Sequence, residues 1–132
     1  MAQSTNKSPR IFLSYSHGDK QWVDVFVRNL QSAGVHVWFD QDEIKPGDTW
    51  RDKLEEGLRL SDSIIMILSP ASVSSSNLSF ELGVALGMGK KIIPIVDKGI
   101  QISAIPGPIR RIQYLPMDDP EETARDVAEA LA

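Results

Sequence analysis

The chain of 132 residues contains no cysteine and only two histidines, His17 and His36. The absence of thiols excludes disulfide bonds, thiolate zinc sites and a cysteine nucleophile, and two imidazoles argue against a multi-histidine metal site. No apolar run approaches the ~20 residues of a membrane span. Residues 1–10 lack the apolar stretch of a signal peptide. We therefore expect a cytoplasmic protein with no metal and no membrane partner.

Positive charge is also scarce, since 14 Lys and Arg residues stand against 18 Asp and Glu residues, for a net charge of −4. This balance argues against nucleic acid as a directly bound partner. Apolar residues make up 42% of the chain and charged residues 24%, which is typical of a globular protein. We expect a flexible arm over residues 1–8 and one domain over residues 9–132.

Short apolar runs alternate with helical patterns along the chain. The runs, which predict strands, lie at residues 11–13, 35–39, 64–68, 92–96 and 112–115. Between them, apolar residues recur at three- and four-residue steps, as on one face of a helix. The continuous run at 64–68 is typical of a strand buried on both faces of a parallel sheet. The alternation predicts an α/β fold with an open sheet of about five parallel strands and helices on both faces. For such a flavodoxin-like sheet we expect the common strand order, 2-1-3-4-5.

Local signals refine the predicted helices and strands. Gly34 is well placed to end the first helix, and Thr49 resembles the start of a capping box for the second. Leu78, Leu82, Ala85 and Leu86 should share the apolar face of the third helix. Pro94 places the fourth strand near an edge or a bulge, and Asp118 or Asp119 should open the last helix.

The predicted topology nominates a binding site. In such sheets, ligands bind beyond the carboxyl ends of the strands, where the strand order reverses, here between the first and third strands. Residues 14–19 and 69–81 leave those two strands, and the second strand leads into the loop before Trp50. The candidate substrate-binding residues are Ser14, Tyr15, His17, Phe39, Asp40, Trp50, Ser75 and Asn77. The aromatic residues among them also fit a core position, and the serine-rich loop also fits a solvated connection.

Glu81 stands out in the third helix. At about 100° per residue, it lies about 60° from Leu78 and about 40° from Ala85, inside or beside the apolar stripe. We expect it to be half-buried and to face the nominated site. The pattern leaves open that Glu81 is instead a helix-start acid stabilised by the helix dipole, or a rim residue that reaches into solvent.

The combined motifs resemble those of a TIR domain. The segments that carry the resemblance are RIFLSYS (10–16), VWFD (37–40), KPGD (45–48), residues 61–70, FELG (80–83) and KIIPI (91–95). The resemblance runs from about residue 9 to residue 130 and is closest to bacterial and archaeal members. The order and spacing of these segments along the chain, rather than any one motif, make the resemblance specific.

The resemblance implies an NAD+ nucleosidase that cleaves the nicotinamide–ribose bond, with Glu81 at the catalytic position and NAD+ as substrate rather than cofactor. The products would be nicotinamide and either ADP-ribose or a cyclic ADP-ribose. It further implies activation by TIR–TIR self-association and a role in prokaryotic defence or virulence. Many active members carry a tryptophan four residues before the glutamate, where this chain has Asn77. Stacking on the substrate should therefore fall to Trp50.

The assembly surface implied by the resemblance is the family's BB loop, with Lys45, Pro46, Gly47 and Asp48 as its matching residues. Pro46 and Gly47 fit the two central positions of a type II turn, in which the second residue needs a positive φ.

Two other functions remain open. A non-catalytic TIR adaptor would use the same fold for homotypic assembly alone. The nucleoside 2-deoxyribosyltransferase-like group also breaks an N-glycosidic bond with a glutamate in a similar helix. A phospho-accepting receiver domain is excluded, because it needs an aspartate at the end of the third strand, where this chain has Leu68 and Ser69.

Overall fold

The computed structural model describes residues 8–39, 47, 49–73 and 76–132, with the side chains of 39, 50, 51, 76 and 77 excepted. The strands are β1 (Arg10–Ser14), β2 (His36–Phe39), β3 (Ser63–Leu68), β4 (Lys91–Val96) and β5 (Leu115–Pro116). The helices are α1 (Lys20–Ser32), α2 (Trp50–Arg59), α3 (Ser76–Gly87) and α4 (Pro120–Leu131). All strand pairs are parallel and the order is β2-β1-β3-β4-β5, as predicted.

Two apolar cores cover the two faces of the sheet. Alternate residues of β1 and β3 enter opposite cores, because side chains of a strand point to opposite faces in turn. The α1/α4 core contains Ile11, Leu13, Val23, Phe26, Val27, Leu30, Val35, Ile65, Ile67, Ile93, Ile95, Ala124 and Val127. The α2/α3 core contains Phe12, Leu54, Leu58, Ile64, Met66, Leu68, Leu78, Leu82, Ala85, Ile92, Val96, Ile105 and Ile109. Every residue of β3 is buried, as the continuous apolar run predicted.

Helix α2 approaches the sheet closely at Gly57. A Cβ atom built on this glycine would lie 2.6 Å from ring atoms of Trp38, which is an impossible contact. The Trp38 ring in turn stacks on Phe12, with the ring centroids 5.1 Å apart and an interplanar angle of 20°. A glycine at position 57 therefore allows the backbone of α2 to lie on the indole.

The ends of the helices follow the predicted signals in two cases out of three. Gly34 follows α1 with a φ of +89°, and the Asp119 side chain caps α4 by accepting a hydrogen bond from the Glu122 amide at 3.4 Å. Thr49 does precede α2, but its side chain makes no cap hydrogen bond, so the predicted capping box is wrong. Thr49 contacts the helix through its backbone carbonyl, which accepts a hydrogen bond from the Lys53 amide at 3.1 Å.

Of three further local predictions, two shift in position or degree. The last strand is Leu115–Pro116 rather than residues 112–115, because only its end pairs with β4. Pro94 lies near an edge as predicted, since only Ile95 and Val96 of β4 pair with β5. Leu86 is 46% exposed instead of buried. The buried face of α3 includes Glu81, and Leu86 lies outside that face, in solvent. No helix in the described ranges is long and apolar enough to cross a membrane.

We predict opposite effects of the same substitution at two helical glycines. Gly57→Ala should lower the free energy of unfolding by about 1–3 kcal/mol, because the new methyl group overpacks against Trp38. Gly83→Ala in α3 should raise it by roughly 0.5–1 kcal/mol, because position 83 is exposed and open and alanine favours the helix. Urea unfolding measures both. A stabilising Gly57→Ala would show that α2 does not need this close approach.

Candidate active site

The centre of the sheet brings together the two segments that the topology nominated. β1 and β3 are neighbours, with Ser14 opposite Met66, and β2 lies on one side of them while β4 and β5 lie on the other. The strand order therefore reverses between β1 and β3, which is the position at which open α/β sheets bind ligands, beyond the carboxyl ends of the strands. Residues 15–19 follow β1 and residues 69–73 follow β3 at this edge.

Ser14 and Glu81 form a buried hydrogen bond at this point. The Ser14 hydroxyl donates to Oε1 of Glu81 at 2.9 Å, across 67 positions of sequence. Ser14 is 2% exposed and Glu81 is 3% exposed. Ser14 follows Phe12 by two positions, so both side chains project to the α2/α3 face, which is where α3 presents Glu81. The fold thus places a carboxyl group inside the protein, next to a hydroxyl donor, at the switch point.

The two alternative interpretations of Glu81 are wrong. A helix-start acid would lie in the first turn, but α3 begins at Ser76 and its first turn holds no acidic residue. A rim residue would reach solvent, but Glu81 is almost fully buried. The expectation of half-burial is also corrected, because the end of β1 covers the flank of α3 that the helical pattern left uncovered. Burial of a polar group without a hydrogen-bond partner is costly, and Ser14 provides a partner.

The loops after β1 and β3 pack on each other beside this pair. Oδ2 of Asp19 accepts a hydrogen bond from the Ser69 hydroxyl at 2.5 Å. A Cβ built on Gly18 would lie 3.2 Å from Cβ of Ala71. The Ser72 hydroxyl donates to the Ile67 carbonyl at 2.6 Å and accepts from the Ser69 amide at 2.9 Å. These contacts hold the two loops together at the edge of the sheet where β1 and β3 end.

The other predicted binding residues are placed differently. Tyr15 is half-buried and packs against the α1/α4 core, on the face of the sheet opposite Ser14. His17 is exposed and starts a short 3₁₀ turn, His17–Asp19. The backbone of Phe39 ends β2 opposite Leu13, which leads the chain toward the same edge.

Several predicted residues lie outside the described structure, wholly or in their side chains. Asp40, Lys45, Pro46, Asp48 and Ser75 fall outside the described residues. For Phe39, Trp50 and Asn77 the backbone alone is described, at the end of β2, the start of α2 and the first turn of α3. Gly47 has a φ of +92°, as its predicted turn position requires.

Asp19, Ser69 and Ser72 were not singled out as individual site residues from the sequence. Asp19 resembled an ordinary loop acid, and the serines resembled a solvated loop. The Asp19–Ser69 bond joins residues that are 50 positions apart, and the Ser69–Ser72 bond depends on the local turn after β3. Neither contact produces a periodic pattern in the sequence. Among the described residues, no group of three or more His, Asp or Glu side chains could hold a metal ion.

A concavity lies beyond β4 and β5, away from this pair. It has a volume of about 250 Å³ and is lined mainly by apolar residues of the loop after β4, including Ile100, Ile105 and Ile109. Arg110 borders it, but its guanidinium already donates to the carbonyls of Ile105 and Ser103, at 2.8 and 3.0 Å. The concavity holds no buried carboxyl group, so the switch point remains the candidate active site.

Comparison with known proteins identifies relatives. The family model described as TIR domain matches residues 11–131. The chain is 36% identical over 93 residues to the 2′ cyclic ADP-D-ribose synthase AbTIR of Acinetobacter baumannii, with 67% of this chain and 35% of that protein covered. It is 36% identical over 70 residues to the NAD(+) hydrolase PdTIR of Paracoccus denitrificans, with 52% of this chain and 23% of that protein covered.

The fold recurs in solved structures. The TIR domain of the Toll-related receptor TRR-2 from Hydra magnipapillata superposes with a TM-score of 0.73 at 21% identity, with 91% of each chain covered. This likeness shows the shared fold. The chain spans only 31% to 35% of the length of the first curated relatives it matches.

We predict that the buried bond to Glu81 contributes more to stability than a local hydroxyl bond does. Ser14→Ala should lower the free energy of unfolding by about 1–3 kcal/mol, because it removes a donor from a buried carboxyl group. The matched control is Ser61→Ala, which removes a buried bond to the Gly57 carbonyl and should cost about 0.5–1.5 kcal/mol. Chemical denaturation compares the two, and a Ser14→Ala variant as stable as the wild type would contradict the buried bond.

Proposed function

The chain belongs to the TIR domain family, and from that premise we propose that it is an NAD+ nucleosidase in which Glu81 is the catalytic carboxyl group. The observation that carries the proposal is the burial of Glu81 against Ser14 at the switch point of the sheet. Relatives named as a cyclic ADP-ribose synthase and as an NAD(+) hydrolase support it.

The chemistry needs one carboxylate rather than two. Nicotinamide leaves the ribose as a neutral molecule, so the departing group needs no proton from an acid. The ribose develops oxocarbenium character as the bond breaks, as in glycoside cleavage. A carboxylate held near the ribose stabilises that positive charge, and it does so most effectively when it is already oriented in a site that excludes water.

Glu81 and Ser14 divide this work in the proposal. Glu81 provides the negative charge, and the Ser14 hydroxyl holds Oε1 in one direction. Ser14 is part of β1 and Glu81 is part of α3, so a strand and a helix carry the two side chains. His17, Phe39 and Trp50 stay predicted contacts to the rest of the dinucleotide.

The acceptor of the ADP-ribosyl group decides the product. Water gives ADP-ribose, and a group of the same nucleotide gives a cyclic ADP-ribose. The names of the relatives include both outcomes, and we leave both within the proposal. NAD+ is then consumed as a substrate and is not a retained cofactor. A cytoplasmic location stays a prediction.

Two competing functions are weaker. An adaptor that only assembles has no use for a buried carboxyl group, and an apolar side chain at position 81 would pack without needing a donor. A nucleoside 2-deoxyribosyltransferase-like protein would use a similar glutamate, but the family match over residues 11–131 is to the TIR domain.

We further propose that activity requires self-association through the loop that contains Gly47. Gly47 has a left-handed backbone, which is the conformation that its predicted turn position requires. If a neighbouring copy completes the site, a monomer holds the competent state at a small fraction, and the apparent activity falls by that fraction.

We predict that Glu81→Gln lowers kcat for nicotinamide release by about 10²-fold or more, as removal of an electrostatic group at a reacting centre does. The fold should survive, because the glutamine side-chain oxygen still accepts from Ser14. The assay follows free nicotinamide at high protein concentration.

The matched control for that variant is Glu129→Gln, an exposed residue near the end of α4. The Ala130 carbonyl accepts from Lys91 at the start of β4, so this part of α4 lies at the opposite edge of the sheet from the site. Glu129→Gln should retain full activity. A Glu81→Gln variant with near-normal turnover would refute the catalytic assignment, and an inactive wild type would favour the adaptor.

We predict that specific activity rises steeply with protein concentration and that Gly47→Val suppresses this rise. Gly34→Val is the matched control, because Gly34 has a φ of +89° against +92° at Gly47, and both sites are open to a side chain. Each substitution should cost about 1–2 kcal/mol of backbone strain, but only Gly47→Val should reduce activity, by about tenfold. Constant specific activity on dilution, or equal losses in both variants, would exclude the assembly role.

A further inference from the structure

Among the described residues, two side-chain hydrogen bonds join β1 and the loop after it to the loop after β3 and to α3. One is the Ser14–Glu81 bond, to which the proposed function already assigns a role. The other links the Ser69 hydroxyl to Oδ2 of Asp19. The second bond lies at the same edge of the sheet, and its donor and acceptor are 50 positions apart in the chain.

Hydrogen bonds within its own loop hold Ser69 in place, independently of its contact with Asp19. It is 1% exposed, and its amide donates to the Ser72 hydroxyl at 2.9 Å. Its carbonyl accepts from the amides of Ser72 and Val73, both at 3.0 Å. The Ser72 hydroxyl also donates to the Ile67 carbonyl, which fastens this turn to the end of β3. The Ser69 hydroxyl therefore presents a fixed donor.

The Asp19 side chain bonds this donor and makes no hydrogen bond to the start of its own helix. It occupies the N-cap position of α1, where an aspartate ordinarily accepts from an amide of the first turn, worth about 0.5–2 kcal/mol. Its side chain makes no cap hydrogen bond and bonds Ser69 instead. The Asp19 carboxylate is therefore committed to the contact between the two loops.

The backbone beside Asp19 is built for the same close approach. The Ser16 hydroxyl accepts from the Gly18 amide at 3.4 Å and closes the 3₁₀ turn. A side chain at position 18 would press on Ala71, with a Cβ–Cβ distance of 3.2 Å. A glycine against an alanine lets the two loops touch directly above the end of β1.

We propose that Asp19 and Ser69 form a latch that positions the loop after β1 against the loop after β3, and thereby fixes the geometry between Ser14 and Glu81. The inference rests on the proposed function, since the reaction that the latch serves is the cleavage assigned to Glu81. Asp19 is a positioning residue, because it acts on Ser14 and Glu81 through the two loops that its hydrogen bond joins.

The main experiment measures kcat and KM for nicotinamide release in Asp19→Ala, Ser69→Ala and the double variant. In each variant kcat should fall about tenfold or more, because small displacements of reacting groups are costly, with KM within about threefold. The double variant should be no slower than either single variant, since all three lose the same bond. Asp19→Asn keeps an oxygen acceptor for Ser69 and should restore most of kcat.

The matched control is Asp24→Ala on α1, whose exposed carboxylate pairs with Lys20 at the surface. It should leave kcat unchanged. Unchanged kcat in Asp19→Ala and Ser69→Ala, measured where both are folded, would overturn the latch. So would losses that multiply in the double variant, because independent effects multiply.

A second measurement does not depend on turnover. If the latch fixes the Ser14–Glu81 geometry, the Tm losses of Asp19→Ala and Ser14→Ala should be non-additive, although the two residues belong to different bonds. A wild type that releases no nicotinamide would refute the proposed function alone. The Tm cycle then decides the latch: additive losses overturn it and non-additive losses support it.

Discussion

The hydrogen bond between Ser14 and Glu81 depends on the adjacency of β1 and β3. It joins residues 67 positions apart, and it forms because parallel pairing sets Ser14 opposite Met66 while α3 crosses above them. A buried hydrogen bond contributes only about 1 kcal/mol net, which is too little to hold a helix. The apolar packing of Leu78, Leu82 and Ala85 holds α3, and the bond then selects the direction of the carboxyl group.

Burial of this carboxyl group strengthens its electrostatic interactions and also carries a desolvation penalty. Removed from water, a charge interacts more strongly with a developing cation than it would at the surface. The same removal makes the group expensive to keep, so each neighbouring donor matters. The bonds of Ser69, Ser72 and Asp19 order the two loops that leave the ends of β1 and β3, at the same edge of the sheet as this carboxyl group.

Small residues permit the close approaches that this arrangement requires. Gly57 lets α2 lie on Trp38, and Gly18 lets the loop after β1 touch Ala71. The positive φ at Gly47 serves a turn in the loop instead of a packing contact. These glycines are thus not interchangeable, because two are limited by space and one by backbone conformation.

The amino-acid sequence by itself determined the class of fold, the edge of the sheet that carries the candidate site, and Glu81 as the candidate carboxyl group. The strand order was predicted as the common one for a five-stranded sheet of this class. Apolar spacing records burial at each position, and the alternation of strands with helices restricts the topology to few arrangements. Tertiary structure alone decided that Glu81 is buried rather than half-exposed, that Ser14 is its donor, that Tyr15 faces the other core, and that Asp19 bonds Ser69 instead of capping α1. Each of these outcomes depends on which surface a distant segment covers, and a contact across 50 or 67 positions leaves no periodic trace in the chain.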